Sequence, residues 1–200
     1  DFAFRPRPWP PPGRRIRLLM VSHAAPHKDQ ALVVELTARL RRLGWDASSA
    51  LTIAAPDAPA YVEHLRRRVH ELGLGSSVRF LGRSADVATL LADADVFVFA
   101  SRCESFGFPV VEAMAVGVPV VAADIPATRE LVGELGWLFR PGDTSEAAQR
   151  VEEALAVPAT AMQERLRRAA NAVRGFTWQA NAAAVAELVE ACVSGRALQR

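Results

Sequence analysis

DVFVFASRCESFGFPVVEAMAVGVPVVAAD, residues 95–124, is the stretch that decides the fold. Asp95–Ala100 is a short, unbroken apolar run and reads as a strand. Pro109–Val116 reads as a helix, opened by a proline where the missing N–H costs nothing. Val118–Ala123 is a second apolar strand. Strand, helix and strand in so short a span make a βαβ unit, which demands parallel pairing. Both strands are apolar throughout rather than alternating, as expected when helices cover both faces of a sheet.

The same alternation continues outward. Strands are expected at Ile16–Val21, Ser49–Ala54, Val78–Leu81 and Trp137–Phe139. Helices are expected at Asp29–Leu43, Ala58–Leu72, Asp86–Ala92, Pro126–Val132, Thr144–Ala156, Thr160–Val173 and Thr177–Val193. In the first of these, Leu32, Leu36, Leu40 and Leu43 share one face. The pattern predicts an α/β fold: a doubly wound, Rossmann-like parallel sheet with helices on both faces. Residues 1–15, with RPRPWPPPG at 5–13, read as an extended linker or strap, or as a loose chain end. The Rossmann-like domain takes 16–175, and 176–200 forms a terminal helix. The chain begins with Asp, which reads as a piece of a longer protein.

Composition excludes several classes. The 200 residues are 50% hydrophobic, enough for a sizeable core. The net charge of +2 is spread over interspersed acids and bases, so no nucleic-acid partner is expected. Arg66–Arg68 and Arg165/Arg167/Arg168 read as solvated helix faces. No apolar run reaches the roughly 20 residues of a transmembrane segment. Two cysteines suit a reducing, cytoplasmic location. Cys103 has Glu104 beside it, which opposes thiolate formation and argues against a nucleophile.

In doubly wound sheets ligands bind beyond the carboxyl ends of the strands, where strand order reverses. The loops after the first and fourth strands, Ser22–Lys28 and Ser101–Phe108, are therefore the candidate site. Gly107 and Pro109 open a helix whose first N–H groups, about 107–111, would face an anion such as a diphosphate. Glu104 and Glu112 flank that helix start. Carboxylates accept from vicinal hydroxyls, so Glu112, in the first helical turn, suits a ribose, and Glu104 suits a sugar. A helix-dipole acid and a surface acid explain the same two residues from sequence alone. Lys28 is the one lysine among 24 basic residues, and a compact ammonium beside a diphosphate is its functional reading. His23 and His27 flank it as hydrogen-bonding or exposed residues; His64 and His70 fall on an outer helix face. There is no GxxxxGK[ST] phosphate loop, GxGxxG, GxSxG or HExxH.

These residues resemble a known family. ESFGFPVVE, 104–112, looks like the EX7E motif of retaining GT-B glycosyltransferases, family 4 above all. VRFLG (78–82), LLADADVFVFAS (90–101), EAMAVGVPVVAADIPATRELVG (112–133), GWLFRPGD (136–143), FTW (176–178) and VSHAAPHKD (21–29) fit in order. The resemblance implies the carboxyl-terminal, donor-binding half of such an enzyme. It implies Glu104 on the donor sugar, Glu112 on the ribose, and Ser105, Phe106, Gly107 and Phe108 around sugar and phosphate. Lys28 would neutralise the diphosphate, and Arg83 would line the base pocket. No cofactor and no metal are implied; the substrate is a nucleotide-diphosphate sugar, and the mechanism is front-face transfer. The acceptor site would belong to the protein's own N-terminal domain, toward which residues 176–200 pack. Peripheral attachment to the inner face of a membrane is open. His23 stands where the family commonly has Arg, so either the ligand charges His23, or Arg83 or Arg102 compensates, or leaving-group stabilisation is weaker. A non-catalytic nucleotide-sugar-binding module, and another GT-B enzyme such as an epimerase or phosphorylase, are the alternatives.

Overall fold

A computed structural model describes residues 2–11, 13–53, 58–82 and 86–194. Six strands are described: β1 (Arg15–Ser22), β2 (Asp46–Ile53), β3 (Val78–Leu81), β4 (Val96–Phe99), β5 (Val120–Ala123) and β6 (Trp137–Phe139). They form one sheet in the order β3-β2-β1-β4-β5-β6, with every pair parallel. The helices are α1 (Gln30–Arg42), α2 (Pro59–Glu71), α3 (Val87–Asp93), α4 (Phe108–Val116), α5 (Pro126–Val132), α6 (Thr144–Leu155), α7 (Ala159–Ala172) and α8 (Trp178–Ser194). The expected Rossmann-like architecture is therefore present.

Strand periodicity sorts the core into two layers. Successive side chains point to opposite faces. Ile16, Leu18 and Met20 with Val96, Val98, Val121 and Ala123 pack against α1 and α6. Leu19, Phe97, Phe99, Val120 and Ala122 pack with Val110, Ala113 and Met114 of α4 and Leu131 of α5 on the other side. Phe97 and Phe99 are stacked with ring centroids 6.4 Å apart. Burying each such side chain stabilises the fold by about 1.5–3 kcal/mol, which is why these strands carry no polar alternation.

Local signals fix the helix ends. Asp86 and Asp143 accept from the N–H groups of Thr89 and Glu146, each at 2.9 Å, and so cap α3 and α6. Pro59, Pro109 and Pro126 occupy first-turn positions of α2, α4 and α5. Gly117 ends α4 at φ 83°, and an added Cβ would lie 2.6 Å from the Phe4 ring.

That ring belongs to the N-terminal segment, which packs as a strap without helix or strand from Phe2 to Trp9. The Arg5 N–H donates to Val116 O at 3.0 Å. The Arg7 guanidinium donates to the carbonyls of Ala94 and Leu91 at the end of α3, and burial lowers its pKa. Trp9 is buried, with Nε1 donating to Val157 O at 3.1 Å. Of the arginine clusters, Arg66, Arg67, Arg167 and Arg168 are exposed as expected, whereas half-buried Arg68 pairs with Glu35 and Glu71 and half-buried Arg165 stacks on Trp137 at 4.7 Å. Among the described residues no helix is long and apolar enough to cross a membrane.

Candidate functional site

Strand order reverses between β1 and β4, and the loops that leave their carboxyl ends meet there. After β1 the chain makes a three-residue 3-10 turn, Pro26–Lys28, and Asp29 takes a left-handed conformation (φ 55°) before α1 begins. This geometry turns Lys28 inward while Pro26 and His27 stay exposed. Gln30 is fully buried and fixes the loop's start, its Nε2 donating to His23 O at 2.7 Å and Ser22 Oγ at 2.9 Å.

The loop after β4 is tied to it. The Arg102 N–H donates to His27 O at 2.8 Å, and its guanidinium donates to Asp29 Oδ2 at 2.8 Å. Between these ties the Lys28 ammonium pairs with Glu104 Oε1. The two side chains are only 11% and 15% exposed. Asp29 and Gln30 had no sequence signal as site residues. An Asp ahead of a helix reads as an N-cap, yet the Asp29 side chain caps nothing and accepts from Arg102 instead.

Gly107 (φ 102°) turns the chain into α4, a conformation that favours glycine. The Val110 and Val111 N–H groups already donate to Gly107 O, at 2.9 and 3.4 Å. The open donors are therefore fewer than the expected 107–111 span: Ser105, Phe106 and Gly107 donate to no acceptor among the described residues. Phe106 and Phe108 pack with centroids 4.8 Å apart.

A cavity of about 430 Å³ collects His23, Lys28, Glu104, Ser105, Phe106, Gly107 and Phe108. Seven of the nine expected residues thus share one space. His23 sits at its mouth, edge-on to His27 with centroids 5.7 Å apart. Arg83 lies outside the described residues.

Glu112 differs from expectation in two respects. It is the fifth residue of α4, past the first turn, which holds no acid; the helix starts one residue earlier than the proline suggests. It also lines a second, larger cavity of about 1350 Å³, bordered by Phe106, Phe108, Arg174 and Phe176. The Phe106/Phe108 pair borders both cavities, with Glu104 lining the smaller and Glu112 the larger. Burial raises the Glu112 carboxyl above its ordinary value. Cys103 is exposed and unpaired. Among the described residues no group of His, Cys, Asp or Glu is arranged to hold a metal ion.

The strand order defines a doubly wound, Rossmann-like domain, with a cation, amide donors and a carboxylate gathered at its switch point. Residues 1–173 match the family model described as glycosyl transferases group 1, and the chain belongs to that family. It is 30% identical over 191 residues to the MMP alpha-(1->4)-mannosyltransferase of Mycolicibacterium hassiacum, covering 90% of this chain and 44% of that protein. It superposes with a TM-score of 0.78 and 26% identity on Anabaena HepE, solved with UDP and glucose, over 89% of this chain and 49% of that one. The C-terminal domain of the Francisella tularensis group 1 glycosyl transferase LpcC shares the fold (TM-score 0.69, 21% identity), covering 84% of this chain and 94% of that chain. The chain thus spans about half or less of the full-length relatives it matches, and corresponds to the Rossmann-like half of a GT-B fold.

Proposed function

We propose that this domain binds the nucleotide-diphosphate-sugar donor of a retaining glycosyltransferase. The observation that carries the reading is the convergence of Lys28, Glu104 and the Ser105–Gly107 amides in one cavity at the sheet's switch point. Lys28 and the amides take the diphosphate and stabilise it as it departs. Glu104 accepts from the sugar's hydroxyls. The donor runs past Phe106 and Phe108, and Glu112 in the larger cavity accepts from the ribose. Lys28, rather than a metal ion, neutralises the leaving group. His23, which lines the same cavity as Lys28, donates to the phosphates.

The acceptor comes from a second Rossmann-like domain ahead of this one, against which the exposed Val185, Leu188, Val189 and Val193 of α8 rest. Attack from the side the diphosphate leaves retains configuration at the anomeric carbon without a protein nucleophile. Similarity to a mannosyltransferase and to a UDP-binding relative supports the donor class but does not choose the base or sugar.

Calorimetric titration with UDP, GDP, ADP and their sugar conjugates tests this. One nucleotide series binds, and Lys28→Ala and Glu112→Ala each weaken it by roughly tenfold, about 1.4 kcal/mol. A folded protein that binds none of them overturns the reading.

A further inference from the structure

The two groups assigned to opposite ends of the donor's reacting half are bonded to each other. Lys28 and Glu104 close an ion pair inside the cavity that the ligand must enter. No other lysine exists in the chain, and Arg102 is engaged with Asp29. Glu104 therefore has one cation among the described residues, and Lys28 has one carboxylate.

We propose that this pair is a latch that makes the site select the intact donor over the spent nucleoside diphosphate; the inference rests on the donor-binding reading above. A diphosphate alone draws the ammonium away from Glu104. The carboxylate is then left in a largely buried place, without a cation and beside a new negative charge. Removing one partner from a buried pair is far costlier than exchanging it. An intact donor exchanges both partners at once. Its diphosphate takes Lys28, while the sugar hydroxyls donate to Glu104. The gain on one side covers the loss on the other only when sugar and diphosphate arrive together.

The same latch acts after transfer. Once the sugar leaves for the acceptor, Glu104 loses its hydroxyl donors and the diphosphate remains. The pair re-forms and displaces the product. The ion pair is thus a specificity-determining element rather than a structural one. A structural pair would sit away from the cavity wall and would cost the same to break for either ligand.

Glu104→Gln keeps the shape and the hydrogen-bonding groups but removes the charge. With the nucleotide series that binds the full chain, the wild type prefers the sugar conjugate over the diphosphate by roughly tenfold. In Glu104→Gln the diphosphate binds roughly fivefold or more tighter than in the wild type, and the preference collapses. A diphosphate that binds Glu104→Gln no better than the wild type overturns the latch and leaves the donor reading standing. Failure of every nucleotide to bind the wild type overturns both.

A second measurement needs no variant. Because Lys28 is the sole lysine, lysine labelled at 13Cε and 15Nζ gives one side-chain signal. That signal moves when the diphosphate or the sugar conjugate saturates the site, as Lys28 changes partner. A signal unmoved at saturation means that Lys28 stays on Glu104 with ligand bound, and the latch is overturned.

Discussion

Arg102 donates to Asp29 Oδ2 at 2.8 Å, across 73 residues of sequence, and thereby binds the loop after β4 to the loop after β1. The Asp29 side chain is only 9% exposed, so it depends on that guanidinium. Arg102→Ala leaves a buried carboxylate without its donor, at a cost of about 1–3 kcal/mol in urea unfolding. The same variant weakens nucleotide binding, because the turn carrying Lys28 loses its anchor to the Glu104 loop. A variant as stable as the wild type shows that the pair is solvated and idle.

Gly107→Ala isolates the backbone's contribution. The nearest side-chain atom to an added Cβ is Leu131 Cδ1 at 3.5 Å, ordinary contact distance. The methyl group fits, and only the positive φ resists it, at about 1–2 kcal/mol. If the chain relieves that strain by rotating, the Gly107 amide turns away from the cavity and diphosphate affinity falls with stability. Thermal melts and calorimetry on the same sample separate the two losses.

Glu112 sets function against stability. Burial raises its carboxyl above 4.5, so the folded chain holds that proton more tightly than the unfolded chain. The linked stability is complete below pH 4.5 and is lost as pH rises through the folded-state value. Glu112→Gln abolishes this dependence. Its Tm at pH 7 exceeds the wild type's, the difference vanishes below pH 4.5, and nucleotide affinity drops. Equal melting of the two proteins at pH 7 would show that the charge is not penalised.

Trp9 anchors the N-terminal strap in the core beside α6 and α7. It is 7% exposed and its indole N–H has a partner in Val157 O. Trp9→Ala costs about 3–5 kcal/mol, read from the midpoint of denaturant unfolding, whereas a loose chain end would cost nothing.

The sheet and its helices were legible because β3 to β6 are short runs rich in apolar residues and most helices carry a cap or a proline at their start. β3, α5 and β6 fall where the residues place them. β2 starts at Asp46 rather than Ser49 because pairing with Arg15 on β1 draws Asp46 into the ladder, and pairing leaves no trace in a strand's own sequence. The 3-10 turns at Pro26–Lys28 and Gly133–Leu135 are too short to show a period. Within the site, Lys28 and Glu104 were legible through the loops that carry them. Their mutual pairing, the Arg102–Asp29 tie and the partition of Glu104 and Glu112 between two cavities were not. Each depends on residues that the topology brings together from distant parts of the chain.

The strap's seating also bears on how the chain comes to be folded during synthesis. Trp9 rests on Val157, 148 residues further on, and Arg7 O accepts from Gln163. Phe4 and Arg5 find their seats once α4 has been made, at Gly117 and Val116, but Trp9 has none until α6 has followed. The Trp9 indole stays exposed through most of translation, and seating it is a late step in closing the domain.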